Sequence, residues 1–439
     1  MLPSRSWLIR CAAAAAILQA GASHAALVSH YTFDGTGNDL VGGRNLTLVN
    51  GAGIGAEGAP GVGGGQSLSL LGGTDYATYN VLAGDTLSGS YTVSAWLKPV
   101  SGTAGPQTFI ATRQPTDNAF DAKFQNDRQI HGDIGNGAGA WITTAADASF
   151  DYRGNQWQHV AYSVGPTGYT IYANGQQVAS GTYAANTPTL WDANNDLFIG
   201  AALLGGNAAS ENFNGLIDEV KVYNTALSAE DILADLAPEG GYVRINSLFN
   251  TGVDASGNVL GAPVDDPHYT LTGPSGALAD ATVIDDNFPI PPWLLADSNS
   301  AWIGLTNNDS TGAAGNYTYR TTFELGAGVN TNALIHGLWA TDNEGVSIFL
   351  NGVDVTAGQV PVNIGSNGSF SHWTPFSISS GFVQGTNVLE FVLNNSGTTA
   401  SPTGLRVALS GWAQTPEPAS AGLLALAGAA LMVRRRVSR

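Results

Sequence analysis

The 439-residue sequence has very few residues of several types, and each scarcity narrows what the chain can be. The single cysteine, Cys11, excludes a disulfide framework and a cysteine-based metal cluster within the chain. Charged residues make up only 11% of the chain, and 34 Asp plus Glu outnumber 16 Lys plus Arg. This acidic balance excludes nucleic acid and anionic membrane surfaces as expected partners and favours soluble cations, above all Ca²⁺.

Long apolar runs are also scarce, and the two clearest ones lie near the chain ends. Two arginines precede an alanine-rich run over residues 11–20, and Ser23-His24-Ala25 supplies small residues at the cleavage positions. This pattern predicts a secretory signal peptide over residues 1–25 and export through the Sec translocon. Residues 26–415 then hold 10 basic and 33 acidic residues, a formal charge of −23, and no cysteine.

The second run belongs to a three-part tail over residues 414–439. Its apolar part, residues 419–433, is bounded by the residues Pro416, Glu417, Pro418, Arg434, Arg435 and Arg436. The order and spacing resemble the PEP-CTERM sorting signal of Gram-negative bacteria. The resemblance implies a transmembrane helix that anchors the protein transiently in the inner membrane, an exosortase that processes it, and a final place at the cell surface or in the extracellular matrix.

The length of the apolar part bears on whether the anchor is transient. Fifteen helical residues span roughly 22 Å, against a hydrocarbon core of about 30 Å. This mismatch favours a transient anchor that is later removed. A permanent anchor remains the alternative, because helix tilt and snorkelling arginines can cover the difference.

Between the two ends, 57 glycines separate short alternating segments, which is typical of tight turns between β-strands. The pattern predicts an all-β protein of two antiparallel β-sandwich (jelly-roll) domains, over residues 26–237 and 242–413, joined by a linker over 238–241. Asn174-Gly175 predicts a two-residue type I′ hairpin. Ser228 predicts the cap of a short helix over 229–236, with Asp231 reaching back to it.

The first domain carries a specific resemblance. The stretches "YTFDGTGNDLVGG", "YTVSAWLKP", "WQHVAYSV", "YTIYANGQQVASG" and "FNGLIDEVKVYNTALSAEDI" resemble a laminin G-like, concanavalin A-type jelly roll. Such domains usually bind glycans or proteins, often with a calcium ion near the first and last strands. The stretches "FPIPPWL", "YTYRTTFEL" and "WATDNEGVSIFLNG" of the second domain resemble a galactose-binding-like jelly roll.

Three carboxylates are candidates for a structural calcium site. Strand alternation places Asp218 on the same face as Val220 and Val222, where an unpaired carboxylate is costly unless it binds an ion. Asp34 and Asp39, in the first loop, could meet it and supply the oxygen ligands that Ca²⁺ prefers. The alternative is that Asp34 and Asp39 only build glycine-rich turns.

Catalytic signatures are missing from the sequence. The E-x-D-x-x-E spacing of concanavalin-type glucanases does not occur, and the neighbours Asp218 and Glu219 would face opposite sides of a strand. No G-x-S-x-G elbow, P-loop or HExxH motif is present. His159, two residues after Trp157 in a strand, is expected to be a packed residue of the sheet. The sequence therefore predicts a protein without catalytic activity.

Binding is the remaining prediction. Trp141 and Trp191 lie beside loops and are candidates to stack on sugar rings, although a buried packing role is the alternative for both. We therefore expect a surface or matrix protein that binds an extracellular polysaccharide or another glycan. Two alternatives stay open, namely an exported glycoside hydrolase or lyase with an unrecognised site and a purely structural biofilm-matrix protein.

Overall fold

The computed structural model describes residues 27–416 except for 62–64, 81–86, 101, 104, 116, 126–127, 192–195, 205–208, 286–291, 309–310 and 357–368. The expected signal peptide over 1–25, the expected membrane helix over 419–433 and Arg434–Arg436 lie outside the described residues, as do Glu417 and Pro418. Within the described part of the chain, no helix is both long and apolar enough to cross a membrane.

The described residues between 27 and 237, which we call the first domain, form seventeen strands and one helix. The strands are β1 Leu27–Tyr31, β2 Thr47–Val49, β3 Gly53–Glu57, β4 Gln66–Leu71, β5 Tyr76–Tyr79, β6 Tyr91–Pro99, β7 Gln107–Ala111, β8 Phe120–Gln125, β9 Gln129–Gly135, β10 Trp141–Ser149, β11 Gln158–Gly165, β12 Gly168–Ala173, β13 Gln176–Thr182, β14 Leu197–Ile199, β15 Ala202–Leu203, β16 Ala209–Ser210 and β17 Asn214–Tyr223. The helix α1 covers Ala229–Leu236.

Fifteen of these strands build two antiparallel sheets, and β15 and β16 pair only with each other. The first sheet has the order β13-β12-β11-β6-β17-β4-β3, with β1 also paired to β17, and the second has the order β10-β9-β8-β7-β14-β5-β2. Alternate residues of each sheet fill a shared core, such as Tyr91 and Val93 from β6 and Phe120 and Phe124 from β8. The residues between them therefore point to the outer faces of the sandwich.

Two local predictions are confirmed. Asn174 and Gly175 have φ angles of 48° and 77° and join β12 to β13 in a two-residue hairpin, which requires positive φ at both positions. Ser228 caps α1: its side chain accepts a hydrogen bond from the backbone N–H of Asp231, whose carboxylate accepts one from the N–H of Ser228.

Residues 242–416, the second domain, are also all β. The strands are β18 Tyr242–Arg244, β19 Asp265–Thr272, β20 Leu278–Val283, β21 Ile303–Gly304, β22 Gly315–Leu325, β23 Ala333–Asp342, β24 Glu344–Leu350, β25 Val353–Asp354, β26 Thr374–Ile378, β27 Gly385–Asn395 and β28 Gly404–Gln414. They form one antiparallel sheet in the order β25-β24-β27-β22-β19-β20-β21-β28-β23-β26, with β18 beside β28. Strands from both ends of this order share one core, so the sheet folds over itself.

The two domains pack against each other over the outer face of the first sheet. Trp96 on β6 is 1% exposed, and its ring lies 5.1 Å from the ring of His336 on β23 and 5.5 Å from that of His159 on β11. Next to the same sheet, the Nδ2 of Asn174 donates to the carbonyl oxygen of Gly337 at 3.3 Å. His159 is 1% exposed, which confirms its expected packing role.

Candidate functional site

The outer face of the second sheet carries an unusual set of polar side chains. Because Phe120 and Phe124 of β8 face the core, Asp121 and Lys123 between them must face outward. The cross-strand register places Asp121 opposite Asp133 and Lys123 opposite His131. We call the outward side chains on this part of the sheet the polar face, and its members are Arg113, Asp121, Lys123, His131, Asp133, Trp141 and Asp147.

Ion pairs tie the strands of the polar face together. Arg113 donates to Asp121 at 2.8 Å and to Asp133 at 3.2 Å. Lys123 lies 3.2 Å from Asp121 and 3.0 Å from Glu211, which precedes β17. Asp121 is fully buried and Lys123 is 4% exposed, so these pairs form a rigid floor rather than a mobile surface.

The acid pair in this floor holds a proton at mildly acidic pH. Burial, the largest influence, raises the pKa of Asp121 to about 6, while the charges of Lys123 and Arg113 oppose this rise and that of Asp133 adds to it. Burial also acts to raise the pKa of Asp133, but hydrogen bonds from His131 and Asp121 and the nearby positive charges outweigh it and keep that pKa below its ordinary value.

His131 stands at the more exposed end of the polar face. Its Nδ1 lies 2.6 Å from a carboxylate oxygen of Asp147, and its Nε2 lies 3.2 Å from one of Asp133. Burial acts to lower the pKa of His131, yet the hydrogen bond to Asp133 and the two carboxylate charges raise it above its ordinary value. The side chain of Asp147 is 30% exposed, so it can accept hydrogen bonds from a ligand.

Trp141 borders this cluster. It is the first residue of β10, it pairs across the sheet with Gly135, and its side chain is half-buried. The guanidinium of Arg113 lies 4.8 Å from the centre of the Trp141 ring, a cation–π distance. The structure thus brings one predicted ligand residue to the edge of a polar, ion-paired surface.

Trp191, the second predicted ligand residue, is instead part of the core. It is 5% exposed, and its ring lies 5.6 Å from that of Tyr91 and 5.4 Å from that of Phe120. A ring enclosed in this way cannot present a face to a sugar at the surface. The expectation that Trp191 binds ligand is corrected here, and the packing alternative holds.

The three predicted calcium ligands have other partners. The carboxylate of Asp39 accepts hydrogen bonds from the backbone N–H groups of His30, Val41 and Arg44 at 3.0–3.2 Å. Burial acts to raise the pKa of Asp39, but these donors lower it. Asp34 is exposed and accepts from the N–H of Gln66 at 3.3 Å. Asp39 therefore closes its loop as a turn residue would.

Asp218 does not lie on the face that strand alternation predicted. A bulge between Asp218 and Lys221, where Glu219 has a φ of 49°, shifts the register and places Asp218 opposite Trp96. The Asp218 carboxylate accepts from the N–H groups of Ala59 and Glu219, both at 2.8 Å. Burial, with the charge of Glu219 adding to it, raises the pKa of Asp218 to about 7.

These contacts fit a calcium site poorly. Backbone N–H donors occupy oxygens of both Asp39 and Asp218, and a donor aimed at a carboxylate competes with a cation for the same lone pairs. Among the residues that the structure describes, no group of three or more His, Cys, Asp or Glu side chains could hold a metal ion. Calcium binding stays a prediction for experiment.

Sequence reasoning missed most of the polar face. Asp121, Lys123, His131 and Asp133 are scattered polar residues in the sequence, and only the pairing of β8 with β9 makes them neighbours. The usable signal was the alternation in "FDAKF" over residues 120–124, where two charged residues alternate with three core positions. Two opposite charges at outward positions of an otherwise apolar strand indicate a partner on the next strand.

A comparison with known protein families supports the two-sheet fold of the first domain. Residues 71–233 match the family model of the concanavalin A-like lectin/glucanase superfamily, laminin G type. The first domain therefore has a concanavalin A-like lectin/glucanase fold. No curated protein sequence matches the chain.

Several solved structures are partly similar. Domain 4 of AbnA, a GH43 extracellular arabinanase from Geobacillus stearothermophilus, in complex with arabinotriose, is 25% identical, covers 48% of this chain and 98% of its own, and has a TM-score of 0.34. The Ruminococcus gnavus IT-sialidase CBM40 is 19% identical, with coverages of 34% and 83% and a TM-score of 0.29. A mutant Trypanosoma rangeli sialidase displaying trans-sialidase activity is 16% identical, with coverages of 48% and 33% and a TM-score of 0.35.

Proposed function

We propose that the protein binds carbohydrate without catalysing its cleavage, and that the polar face of the first domain is the binding site. The observation that carries this proposal is the half-buried Trp141 ring held by Arg113 at the edge of ion-paired side chains. An aromatic face beside a few fixed polar groups is the usual composition of a sugar site, because sugars present apolar C–H faces and rings of hydroxyl groups.

The fixed geometry of the polar face supports binding. Asp147 and His131 hold each other at 2.6 Å, and Arg113 is fixed by two carboxylates. Side chains that are already ordered lose little conformational freedom when a ligand arrives. The partly exposed ends of Arg113, His131 and Asp147 then offer donors and acceptors to sugar hydroxyls at low entropic cost.

The burial of the acid pair supports a role without catalysis. A glycosidase needs two carboxyl groups that reach the scissile bond from either side. Asp121 is fully buried and pairs with Arg113 and Lys123, so it cannot touch a glycosidic oxygen. A glycoside hydrolase or lyase whose site uses other carboxylates, and a purely structural matrix protein, are the alternatives that experiment must separate.

A glycan array with the exported chain, residues 26–415, followed by calorimetry on the best ligand, tests the proposal. Trp141→Ala should weaken binding several-fold, because a lost aromatic contact costs about 1 kcal/mol. Trp141→Phe keeps an aromatic face and should retain most of the affinity. Equal affinity in the wild type and both variants would show that the binding site lies elsewhere.

Two other outcomes decide between the alternatives. Failure to bind any glycan would favour the structural matrix protein. Steady release of reducing ends from a polysaccharide by the purified wild type would establish a hydrolase.

The proposed location is the cell surface or extracellular matrix of a Gram-negative bacterium. It rests on the signal-peptide pattern over residues 1–25 and on the tail that follows Pro416. The Sec translocon and an exosortase are the proposed partners in export, and the inner membrane holds the tail only transiently. Intact-mass measurement of the protein from its host tests this: loss of the tail is expected, and a mass that includes Arg439 would contradict it.

A further inference from the structure

A second candidate site lies where the two domains meet. A cavity of about 330 Å³, open to solvent on one side, is lined there by residues of both domains. The first domain contributes the turn between β12 and β13 and one side of α1, including Gln177 and Leu233. The second domain contributes the segment after β18, including Asn246 and Phe249, and the loop that contains Ser256.

The walls of this cavity are held in place. At its floor, the Nε2 of Gln176 donates to the Oγ of Ser410 on β28 at 2.9 Å, and both residues are buried. Gly175, with a φ of 77°, brings the turn against the helix so closely that a Cβ there would lie 2.7 Å from Leu233. The cavity is therefore formed before any ligand enters, and it depends on the packing of both domains.

The chemistry of the walls differs from that of the rest of the protein. The exported chain has 33 acidic residues, yet no carboxylate is among the described residues that line this cavity. Five amide side chains and two serines line it. Arg244, the cationic residue among the described residues of the lining, lies 3.5 Å from Glu230, which offsets its positive charge.

An aromatic ring completes the wall. Phe249 is half-buried, and its ring stacks on that of His268 with a centroid distance of 3.7 Å and an angle of 2° between the planes. The stack fixes the Phe249 ring in one orientation. Nearby, the exposed side chain of Asn246 makes no hydrogen bond within the described part of the chain, so its amide is available to a ligand.

We propose that this cavity binds one or two uncharged sugar rings. Amides both donate and accept hydrogen bonds, as sugar hydroxyls do, and Phe249 offers an apolar surface for a sugar C–H face. The volume lies near the lower end of the range of about 300–1,000 Å³ for small-molecule sites. This site is separate from the polar face, and its occupancy does not depend on Trp141.

The test uses residues 26–415 with Trp141→Ala, which weakens the polar face several-fold, and cavity variants in the same background then assign the remaining signal. Saturation-transfer NMR is run with methyl glycosides of glucose, galactose, mannose, xylose, arabinose and N-acetylglucosamine, and with methyl glucuronate as the charged counterpart. We expect transfer to at least one neutral glycoside and none to glucuronate. Transfer to none of the neutral probes, or to glucuronate alone, would overturn the proposal.

Matched variants in the same background locate the binding. Ser256→Trp places a large ring at the wall of the cavity from an exposed loop, and should reduce affinity at least tenfold. Ser275→Trp makes the same change in an exposed turn outside the cavity and should leave affinity unchanged. Asn246→Ala should weaken binding several-fold at an unchanged melting temperature. Equal affinity in Ser256→Trp and Ser275→Trp would overturn the assignment.

Discussion

The two sheets of the first domain use their outer faces differently. On the first sheet, Trp96 is 1% exposed and lies under the second domain. On the second sheet, Trp141 is half-buried and borders a cluster of charged side chains. The same residue type at an outward strand position is therefore buried under a second domain in one sheet and partly exposed beside charged side chains in the other.

The histidines of the two faces show the same contrast. His336, which packs on Trp96, is fully buried, and burial with a smaller effect of His159 lowers its pKa to about 3. His131 lies between Asp133 and Asp147, and its pKa is raised. Burial at the domain contact thus lowers the pKa of one histidine, and neighbouring carboxylates raise the pKa of the other.

The largest expected effect comes from breaking the docked face. Trp96→Ala would leave a cavity between the domains and should destabilise the protein by roughly 3–5 kcal/mol. Trp141→Ala, on the partly exposed face, should cost about 1 kcal/mol or less. Urea unfolding of both variants beside the wild type measures the difference. Equal losses would mean that the two faces are not distinct.

His336 should make the stability of the folded protein depend on pH. Its folded pKa of about 3 lies below the unfolded value of about 6.5, so the unfolded chain binds a proton that the folded chain does not. Stability should therefore be fully present above pH 6.5 and fall as the pH drops toward 3. His336→Gln should flatten this part of the stability curve.

His131 should behave in the opposite sense. Because its folded pKa is raised, its contribution is present below the unfolded value of about 6.5 and is lost as the pH rises through the folded pKa. His131→Asn should remove that loss. Unfolding measured from pH 4 to 8 distinguishes the two, and slopes of the same sign at both histidines would contradict the comparison.

The smallest change in stability is expected at Asp218, on the first sheet. The folded pKa of Asp218, about 7, is raised, so its favourable contribution is present at low pH and is lost as the pH rises from about 4 to 7. Asp218→Asn should then be modestly more stable than the wild type at pH 8.

EDTA should leave the wild-type melting temperature unchanged if Asp218 binds no cation. A fall with EDTA that Ca²⁺ reverses, and that Asp218→Asn abolishes, would establish the calcium site after all.

Short-range sequence signals predicted local structure well. Asn174-Gly175 and the Ser228 cap depend only on their own backbone, and both are confirmed. Strand alternation gave the wrong face for Asp218, because a bulge adds a residue to the strand there. A bulge leaves little trace in sequence, and Glu219 at positive φ gave no warning.

The candidate site was only partly predictable. Trp141 was a candidate because it is an aromatic residue beside a glycine-rich turn, and the same reasoning failed for Trp191, whose ring packs in the core. His131 and Asp147 are sixteen residues apart and meet only through the register of β9 with β10. Long-range pairing of this kind is not encoded in any local pattern.

The most direct test of the central claim follows the tryptophans themselves. A protein of residues 26–415 would be labelled with 5-fluorotryptophan, and the ¹⁹F resonances of Trp141 and Trp96 would be assigned with Trp141→Phe and Trp96→Phe. On titration with the best neutral ligand from the glycan array, the Trp141 resonance should shift with saturation while that of Trp96 stays fixed. A saturating ligand that leaves the Trp141 resonance unmoved would contradict the proposal that the polar face binds carbohydrate.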